Sequence, residues 1–217
     1  MVSTCAPFWN RQPALDEMVA TYRSLYPGVE LSICDDGSIP PAKAPEGVIL
    51  TRLAEKSRSL NPCVPINRAV AASSGDVIVL TNPEVVHRES VLGTMFEALE
   101  TPWDYVTARC YDVVSRLWLA GPEVDYSTGG RLPVPPGAHF HFLAMLHRSL
   151  WDRAGGFDED YREVQGCDDN DWLWRLSRVG ARFRTAPVTV YHERSTTRWD
   201  LPHGREMFRR KWPEVAC

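Results

Sequence analysis

Short apolar runs alternate with amphipathic segments along the first half of the chain, and this alternation limits the folds open to it. Each apolar run is long enough for one buried strand, and each amphipathic segment has the apolar spacing of a helix. Strands separated by single helices form βαβ units with right-handed crossovers. We therefore predict an α/β fold with a mostly parallel central sheet flanked by helices. The predicted strands are 2–6, 29–34, 48–53, 76–81 and 105–111, and the predicted helices are 13–25, 66–73 and 88–99.

The second half of the chain starts with a long segment that lacks a regular pattern. Residues 118–138 are rich in glycine, proline and polar side chains, which predicts a loop that is either mobile or covers a substrate. With no internal repeat and no second set of elements, the 217 residues predict a single domain. Beyond the loop we predict strands at 139–147 and 188–192, and helices at 149–154, 168–179 and 205–212.

Composition and charge exclude several classes of protein. The formal net charge of −4 gives no general attraction to nucleic acid or to an anionic membrane. No apolar run approaches the roughly 18 residues that span a bilayer, and the first residues lack a secretory signal. The six cysteines are scattered without a Cys-x-x-Cys pair, which favours reduced thiols. These features predict a cytoplasmic protein without a transmembrane segment.

Two polar turns follow predicted strands, at the edge where a parallel sheet binds its ligands. The first is Asp35-Asp36-Gly37-Ser38, whose carboxylates suit the hydroxyl and N–H groups of a nucleoside. The second holds Asn82 and Glu84, and two oxygen ligands at this spacing suit a hard cation beside a diphosphate. Plain polar turns remain the alternative for both segments.

Three carboxylates fall within four positions at Asp168, Asp169 and Asp171, just before a predicted helix. A neighbouring negative charge raises the pKa of a carboxyl towards the range of a general base. Helix capping is the alternative, because acids in a first turn stabilise the helix dipole. Capping explains one or two acids, but not three that follow Gly156-Phe157-Asp158-Glu159. Arg175, four residues beyond Asp171, is expected to pair with it on the helix surface.

Histidines and basic residues give weaker signals. His192 ends the last predicted strand, where a histidine is more often a surface or hydrogen-bonded residue than a ligand. His139, His141 and His147 are predicted on one strand face and are interpreted as cleft or packing residues. The basic C-terminal segment is predicted to bind an acidic acceptor or a membrane surface. The alternative is a solvated helix face. Its charged residues are Arg194, Arg198, Arg205, Arg209, Arg210 and Lys211.

In their order along the chain, these motifs resemble the family 2 glycosyltransferases of the GT-A fold. The resemblance runs from about Val2 to His192, and the compact length is similar to that of transferases from bacterial surface-glycan clusters and bacteriophage genomes. Its parts are Asn10-Arg11, Asp35-Asp36-Gly37-Ser38, Asn61-Pro62, Asn67-Arg68-Ala69, Gly75-Asp76, Thr81-Asn82-Pro83-Glu84, Gly155-Gly156-Phe157-Asp158-Glu159, Asp168-Asp169-Asn170-Asp171 and His192.

The resemblance implies that residues 1–100 bind a UDP-, GDP- or dTDP-sugar and that residues 101–217 contain the acceptor site and the catalytic residues. Asp35 and Asp36 would hold the base and ribose. The family's Asp-x-Asp position reads Asn82-Pro83-Glu84 here, so Glu84 would be the main carboxylate facing Mn²⁺ or Mg²⁺. His192 would complete the metal shell, and one charge instead of two predicts a weak metal affinity. The remaining donor-binding candidates are Asn67, Arg68, Asn82 and Asp171.

The implied reaction is a single inverting displacement. Asp169 is the predicted base and Asp168 the second candidate, and the base takes a proton from the acceptor hydroxyl that attacks the anomeric carbon. The acceptor is a glycan, a virion protein or a modified DNA base. A binding module that keeps the fold without turnover is the alternative. A nucleotidyltransferase ranks below both, since no glycine-rich phosphate loop is found near the N-terminus.

Overall fold

One β-sheet runs through the molecule and is covered by helices. The structure is a computed structural model that describes residues 1–56, 61–122, 139–193 and 202–215. None of the helices in these ranges is long and apolar enough to cross a membrane. The strands are β1 (Val2–Phe8), β2 (Glu30–Asp35), β3 (Val48–Arg52), β4 (Val77–Thr81), β5 (Val85–Val86), β6 (Asp104–Asp112), β7 (Leu117–Ala120), β8 (Leu143–His147) and β9 (Arg182–His192). The helices are α1 (Gln12–Leu25), α2 (Cys63–Ala72), α3 (Leu92–Glu97), α4 (Arg148–Ala154), α5 (Asp168–Arg178) and α6 (Pro202–Lys211), with a 3₁₀ turn at Glu159–Glu163.

The sheet has a parallel half and a mixed half. Its strand order is β3-β2-β1-β4-β8-β6-β9-β5, with β7 paired to β6. Strands β3, β2, β1 and β4 all run in the same direction. Strand β8 is antiparallel to both of its neighbours, β4 and β6, whereas β6 and β9 are parallel. The predicted α/β class is confirmed, and each antiparallel pair includes β7, β8 or β9 from the second half of the chain.

Apolar residues of the central strands form two cores. Successive residues of β4 alternate between them, with Ile78 and Leu80 in one core and Val77 and Val79 in the other. Helices α2, α4 and α5 contribute to the first core, and α1 and α3 to the second. Because both faces of β4 are covered, the strand is apolar almost throughout and was recognisable in the sequence.

Two of the sequence predictions that differ from the structure concern the predicted loop and the strand after it. The start of the predicted loop 118–138 is strand β7, whose Trp118 packs edge-on against Tyr111 of β6 at 5.2 Å between ring centroids. Residues 123–138 lie outside the described residues. The strand predicted at 139–147 begins only at Leu143, so His139 and His141 lie in the turn before it. The three histidines therefore do not share one strand face.

Candidate active site

Strand pairing brings the predicted motifs to one edge of the sheet. The parallel strands β1, β2 and β4 all end at this edge. Leu143, the first residue of β8, lies opposite Thr81, the last residue of β4, so the turn that contains His141 is at the same edge. Strands β6 and β9 also end there, with Asp112 beside His192. Residues from five strands thus surround one surface.

Asp35 is almost fully buried, with 1% of its surface exposed. Its carboxylate accepts hydrogen bonds from the N–H groups of Ser38 (2.8 Å) and Ala42 (3.0 Å) and forms an ion pair with Arg52. Burial raises the pKa of Asp35, but the hydrogen bonds from Ser38 and Ala42 and the charge of Arg52 outweigh burial and lower the pKa overall. Both carboxylate oxygens are therefore used to fix the turn that follows β2.

Asp36 lies beside an exposed aromatic ring. Its carboxylate pairs with Lys56, whose ammonium is 5.1 Å from the ring centroid of Trp9. Trp9 is 40% exposed, so part of its ring can contact a flat ligand such as a nucleobase. Gly37 has φ +70° and lies against the backbone of Lys56, which leaves no room for a side chain. Sequence reasoning missed Trp9, whose only signal was an aromatic residue following a predicted strand.

Glu84 and His192 are brought together by strands β5 and β9. Val85 lies opposite His192, so the backbone of Glu84 is close to that of the histidine. Arg11 donates a hydrogen bond from Nη1 to Glu84 Oε1 at 2.6 Å, so the predicted metal-facing carboxylate already has a cationic partner. Asn82 is half-buried, and its carbonyl accepts a hydrogen bond from Val85 N at 3.0 Å, which fixes the turn.

His192 is oriented by Asp112, which sequence reasoning did not identify. The Nδ1 atom of His192 lies 2.9 Å from Asp112 Oδ2, and both side chains are buried. Asp112 also accepts hydrogen bonds from the N–H groups of Val114 (3.0 Å) and Ser115 (2.7 Å). Burial raises the pKa of Asp112, but the bonds from Ser115 and His192 outweigh it and lower the pKa. With Nδ1 held, Nε2 is the nitrogen that would bind a metal.

The residues at this position fit a weakly held metal. Within the described ranges, no group of three His, Cys, Asp or Glu side chains is arranged to hold a metal ion. Glu84 and His192 supply a carboxylate and an imidazole, which is fewer than the six or so ligands that Mg²⁺ takes. Oxygens of a diphosphate would complete the coordination, so these residues suit a metal that binds together with a nucleotide.

The acidic cluster stands at the start of α5, after a sharp turn. Gly166 and Cys167 both have positive φ, of +77° and +66°, and direct the chain into the helix. Asp168 is buried, whereas 41% of the Asp169 side chain is exposed at the edge described above. Burial and the charge of Asp169 raise the pKa of Asp168 well above the ordinary carboxyl value. Burial also raises the pKa of Asp169.

His141 is the neighbour of Asp169 from the turn before β8. Its Nδ1 lies 3.4 Å from Asp169 Oδ1, and its ring packs edge-on against Phe157 with centroids 4.8 Å apart. Burial lowers the pKa of His141 to about 4, so the ring is neutral at neutral pH. Neither His141 Nδ1 nor Asp168 Oδ2 has a hydrogen-bond partner, although both atoms are buried. Such atoms usually find a partner, often a ligand or an ordered water.

Asp171 faces α6 rather than the sheet edge. Its Oδ1 atom lies 2.6 Å from Lys211 Nζ and accepts a hydrogen bond from Trp212 Nε1 at 2.8 Å. Lys211 also pairs with Asp158 at 2.6 Å and so connects two acidic motifs of the sequence. The expected surface pair of Asp171 with Arg175 is wrong, because Arg175 donates instead to the carbonyl oxygens of Ala154 and Gly156, both at 2.8 Å.

Two asparagines connect α2 to the segment that leads into α5. Asn67 exchanges two hydrogen bonds with the backbone of Phe157, each 2.9 Å long. A Cβ at Gly156 would lie 2.9 Å from Asn67 Oδ1, so only glycine fits beside this contact. Asn61, before the helix, accepts from Gly166 N at 2.8 Å and donates to Val164 O at 2.8 Å. Both amides thus hold backbone that precedes Asp168.

The remaining basic candidates lie on α2 and α6, and the charges of Arg205 and Arg209 act on the thiol of Cys167 at the start of α5. Arg68 is exposed on α2, and its positive charge acts on the thiol of Cys34 at the end of β2. In α6, Arg209 and Arg210 are exposed, whereas Arg205 is half-buried. Arg194 and Arg198 of the basic C-terminal segment lie outside the described residues.

Comparison with solved structures identifies the fold. The mannosyltransferase PcManGT from Pyrobaculum calidifontis, in complex with GDP-Man and Mn²⁺, superposes with a TM-score of 0.61 at 18% identity, over 92% of this chain and 58% of that one. S. aureus TarS gives 0.65 at 13% identity, over 89% of this chain and 37% of that one. A second structure, S. aureus TarS 1–349, gives a TM-score of 0.63 at 13% identity, over 88% of this chain and 60% of that one.

The chain has the GT-A fold. Its structural neighbours are glycosyltransferases, and it spans 58%, 37% and 60% of their lengths. No family model matches the sequence. No curated protein matches it either.

Proposed function

We propose that this chain is an inverting glycosyltransferase that moves a sugar from a nucleotide-diphosphate sugar to an acceptor hydroxyl, in the manner of family 2. The observation that carries the proposal is the common sheet edge, which gathers the Asp35-Asp36 turn, Glu84, His192 and the exposed Asp169. The reaction needs a site for the nucleotide, a site for the departing diphosphate and a base for the acceptor hydroxyl. The candidate groups for all three lie on one surface at this edge.

The donor nucleotide, with UDP, GDP and dTDP as candidates, is assigned to the ends of β1 and β2. Trp9 offers an exposed ring for the base, and Asp36 and Lys56 offer a carboxylate and an ammonium for polar contacts. The buried Asp35 keeps the turn in shape through Ser38, Ala42 and Arg52. Exposed Arg68 is the candidate cation on α2 for the nucleotide phosphates.

The diphosphate is assigned to Arg11, Glu84 and His192. A bound Mn²⁺ or Mg²⁺, held by Glu84 and His192 Nε2, would stabilise the negative charge of the departing diphosphate. Arg11 supplies a guanidinium at the same place, and a guanidinium binds phosphate oxygens with two parallel hydrogen bonds.

Asp169 is assigned the proton transfer. A general base must be ionised, exposed to the acceptor and of raised pKa, and Asp169 combines exposure with a raised pKa. Asp168 is buried beside it, so it adds little surface for an acceptor. The acceptor is proposed to be a glycan, a virion protein or a modified DNA base. The buried, free thiols of the described cysteines support a reaction in the cytoplasm.

Donor hydrolysis tests the proposal without knowledge of the acceptor. The protein is incubated with Mn²⁺ and GDP-mannose, UDP-glucose, UDP-N-acetylglucosamine or dTDP-rhamnose, and the release of nucleoside diphosphate is measured. We expect turnover of one donor, a loss of about 100-fold or more in Asp169→Asn, and unchanged binding of the diphosphate. Asp160→Asn, an exposed acid of the nearby 3₁₀ turn, is the matched control. Full turnover in Asp169→Asn would contradict the assignment of the base.

A binding module without turnover is the second candidate. The observation that favours it is the Arg11–Glu84 pair, because a carboxylate neutralised by arginine attracts a metal less strongly. A thermal shift with a sugar nucleotide, in the absence of any hydrolysis or transfer, would support this reading over the enzyme.

A further inference from the structure

We propose that His141 is a positioning residue for Asp169, to whose carboxylate it donates a hydrogen bond from Nδ1–H after a small rotation of the Asp169 side chain. The inference rests on the proposed function, because it takes Asp169 as the base. His141 matched no part of the sequence resemblance, and its role is derived from the contacts of its ring.

The ring of His141 is held in place. It is 5% exposed and packs edge-on against Phe157. The turn that carries it is fixed to β4, because Thr81 Oγ1 donates to Phe142 O at 2.8 Å. Phe157 is itself fixed by its two bonds with Asn67. A ring held from both sides has little freedom to turn its Nδ1 away from α5.

The Nδ1 atom of His141 lacks a hydrogen bond and lies 3.4 Å from Asp169 Oδ1. Leaving a buried ring nitrogen unpaired is unfavourable, so a state in which it is paired is preferred. Contacts between catalytic groups are often long in structures without substrate, so a separation of 3.4 Å is compatible with a bond that a small movement completes. A small rotation of the Asp169 side chain, which is 41% exposed, would complete this bond.

The charges around Asp169 suit a neutral donor at this position. Four titratable groups face it from the packed elements: His141 from the turn before β8, Asp168 and Cys167 at the start of α5, and Tyr105 from β6. Burial favours the uncharged form of all four. His141 therefore orients the carboxylate without adding a positive charge that would weaken it as a base.

Two amide substitutions of His141 test whether the residue acts through a hydrogen-bond donor at Nδ1 or only by filling space. The side-chain nitrogen of asparagine can stand near the position of Nδ1, whereas that of glutamine reaches the position of Nε2. We expect His141→Asn to keep the kcat of donor hydrolysis within about threefold, and His141→Gln to lower kcat about 10- to 100-fold with an unchanged KM for the donor. His139→Asn, at a buried histidine that bonds with Thr107, is the control. Equal kcat in the two His141 variants would overturn the proposal.

A titration that needs no turnover separates this inference from the proposed function. The side-chain carboxyl carbon of Asp169 is followed by ¹³C NMR against pH in the wild type and in the two His141 variants. Losing a hydrogen bond to the ionised form raises the pKa of a carboxyl, so His141→Gln is expected to titrate at higher pH than the wild type and His141→Asn. The same titration in all three proteins overturns the role of His141, whether or not the chain transfers sugar.

Discussion

Arg11 Nη1 lies 2.6 Å from Glu84 Oε1, so a guanidinium neutralises the carboxylate that is proposed to face the metal. The two residues are 73 positions apart in the sequence. A bound diphosphate would relieve the competition between Arg11 and a divalent metal for Glu84, because its negative charge can pair with both cations. Metal and nucleotide are therefore expected to bind cooperatively.

The first prediction concerns Mn²⁺ binding in the absence of a nucleotide. Arg11→Gln removes the competing cation, and we expect Mn²⁺ alone to bind about three- to fivefold more tightly, a modest gain because the pair is partly exposed. Isothermal titration calorimetry measures this affinity. Arg153→Gln, whose guanidinium lies over Trp103 instead, is the control. An unchanged affinity in Arg11→Gln would mean that Arg11 does not compete with the metal.

The second prediction concerns stability against pH. The pKa of Asp168 is raised in the folded state above the unfolded value of about 3.9, so the folded chain keeps a proton that the unfolded chain releases. The resulting stabilisation is complete below that unfolded value and is lost as pH rises through the folded pKa. The asparagine of Asp168→Asn carries no charge at any of these pH values. The Tm of this variant minus that of the wild type is therefore expected to increase from pH 5 to pH 8.

Differential scanning calorimetry at pH 5, 6, 7 and 8 measures the difference in Tm. Asp160→Asn, at an exposed position, is expected to show a constant difference. A constant difference for Asp168→Asn as well would show that this carboxyl titrates normally in the folded protein.

The third prediction concerns the attachment of α6. Asp171 is 1% exposed, and removal of Lys211 leaves its charge paired with Trp212 Nε1 alone. Losing one partner of a buried ion pair is strongly destabilising, and because 31% of Lys211 is exposed we expect about 2 kcal/mol for Lys211→Met. Urea unfolding measures the change, with Arg210→Met as the exposed control. A loss no larger than that of the control would show that the pair does not stabilise α6.

Local sequence patterns predicted the elements that are covered on both sides. Strand β4 is an uninterrupted apolar run, so its position in the sheet was readable. Strand β7 is half-exposed, and its neighbouring glycine and proline residues masked the pattern. The first half of β9 was missed because Arg182 and Arg184 interrupt its apolar residues, and their charges are met by Asp104 and Glu100.

The sequence singled out several acidic residues at the sheet edge, but it missed Asp112, included Asp171, which faces α6, and did not predict their partners. Arg52 for Asp35, Arg11 for Glu84, Asp112 for His192 and Lys211 for Asp171 are each at least 17 residues away along the chain. A local pattern carries no information on such pairs. These pairs decide which carboxylates remain available to a ligand. Asp35 and Asp171 are buried against their partners, whereas Asp169 is exposed.

The contacts of Asn61 and Asn67 have a consequence for how the protein can vary. Both side chains bind main-chain atoms of Phe157, Val164 and Gly166, and those atoms are the same whichever residue occupies the position. Substitutions at Asp160 or Arg162, two exposed residues of the 3₁₀ turn, would leave these main-chain contacts intact. Neighbouring side chains on that turn can thus vary to suit different acceptors of the proposed reaction, while Asp169, the proposed base, stays at a fixed distance from the first half of the chain.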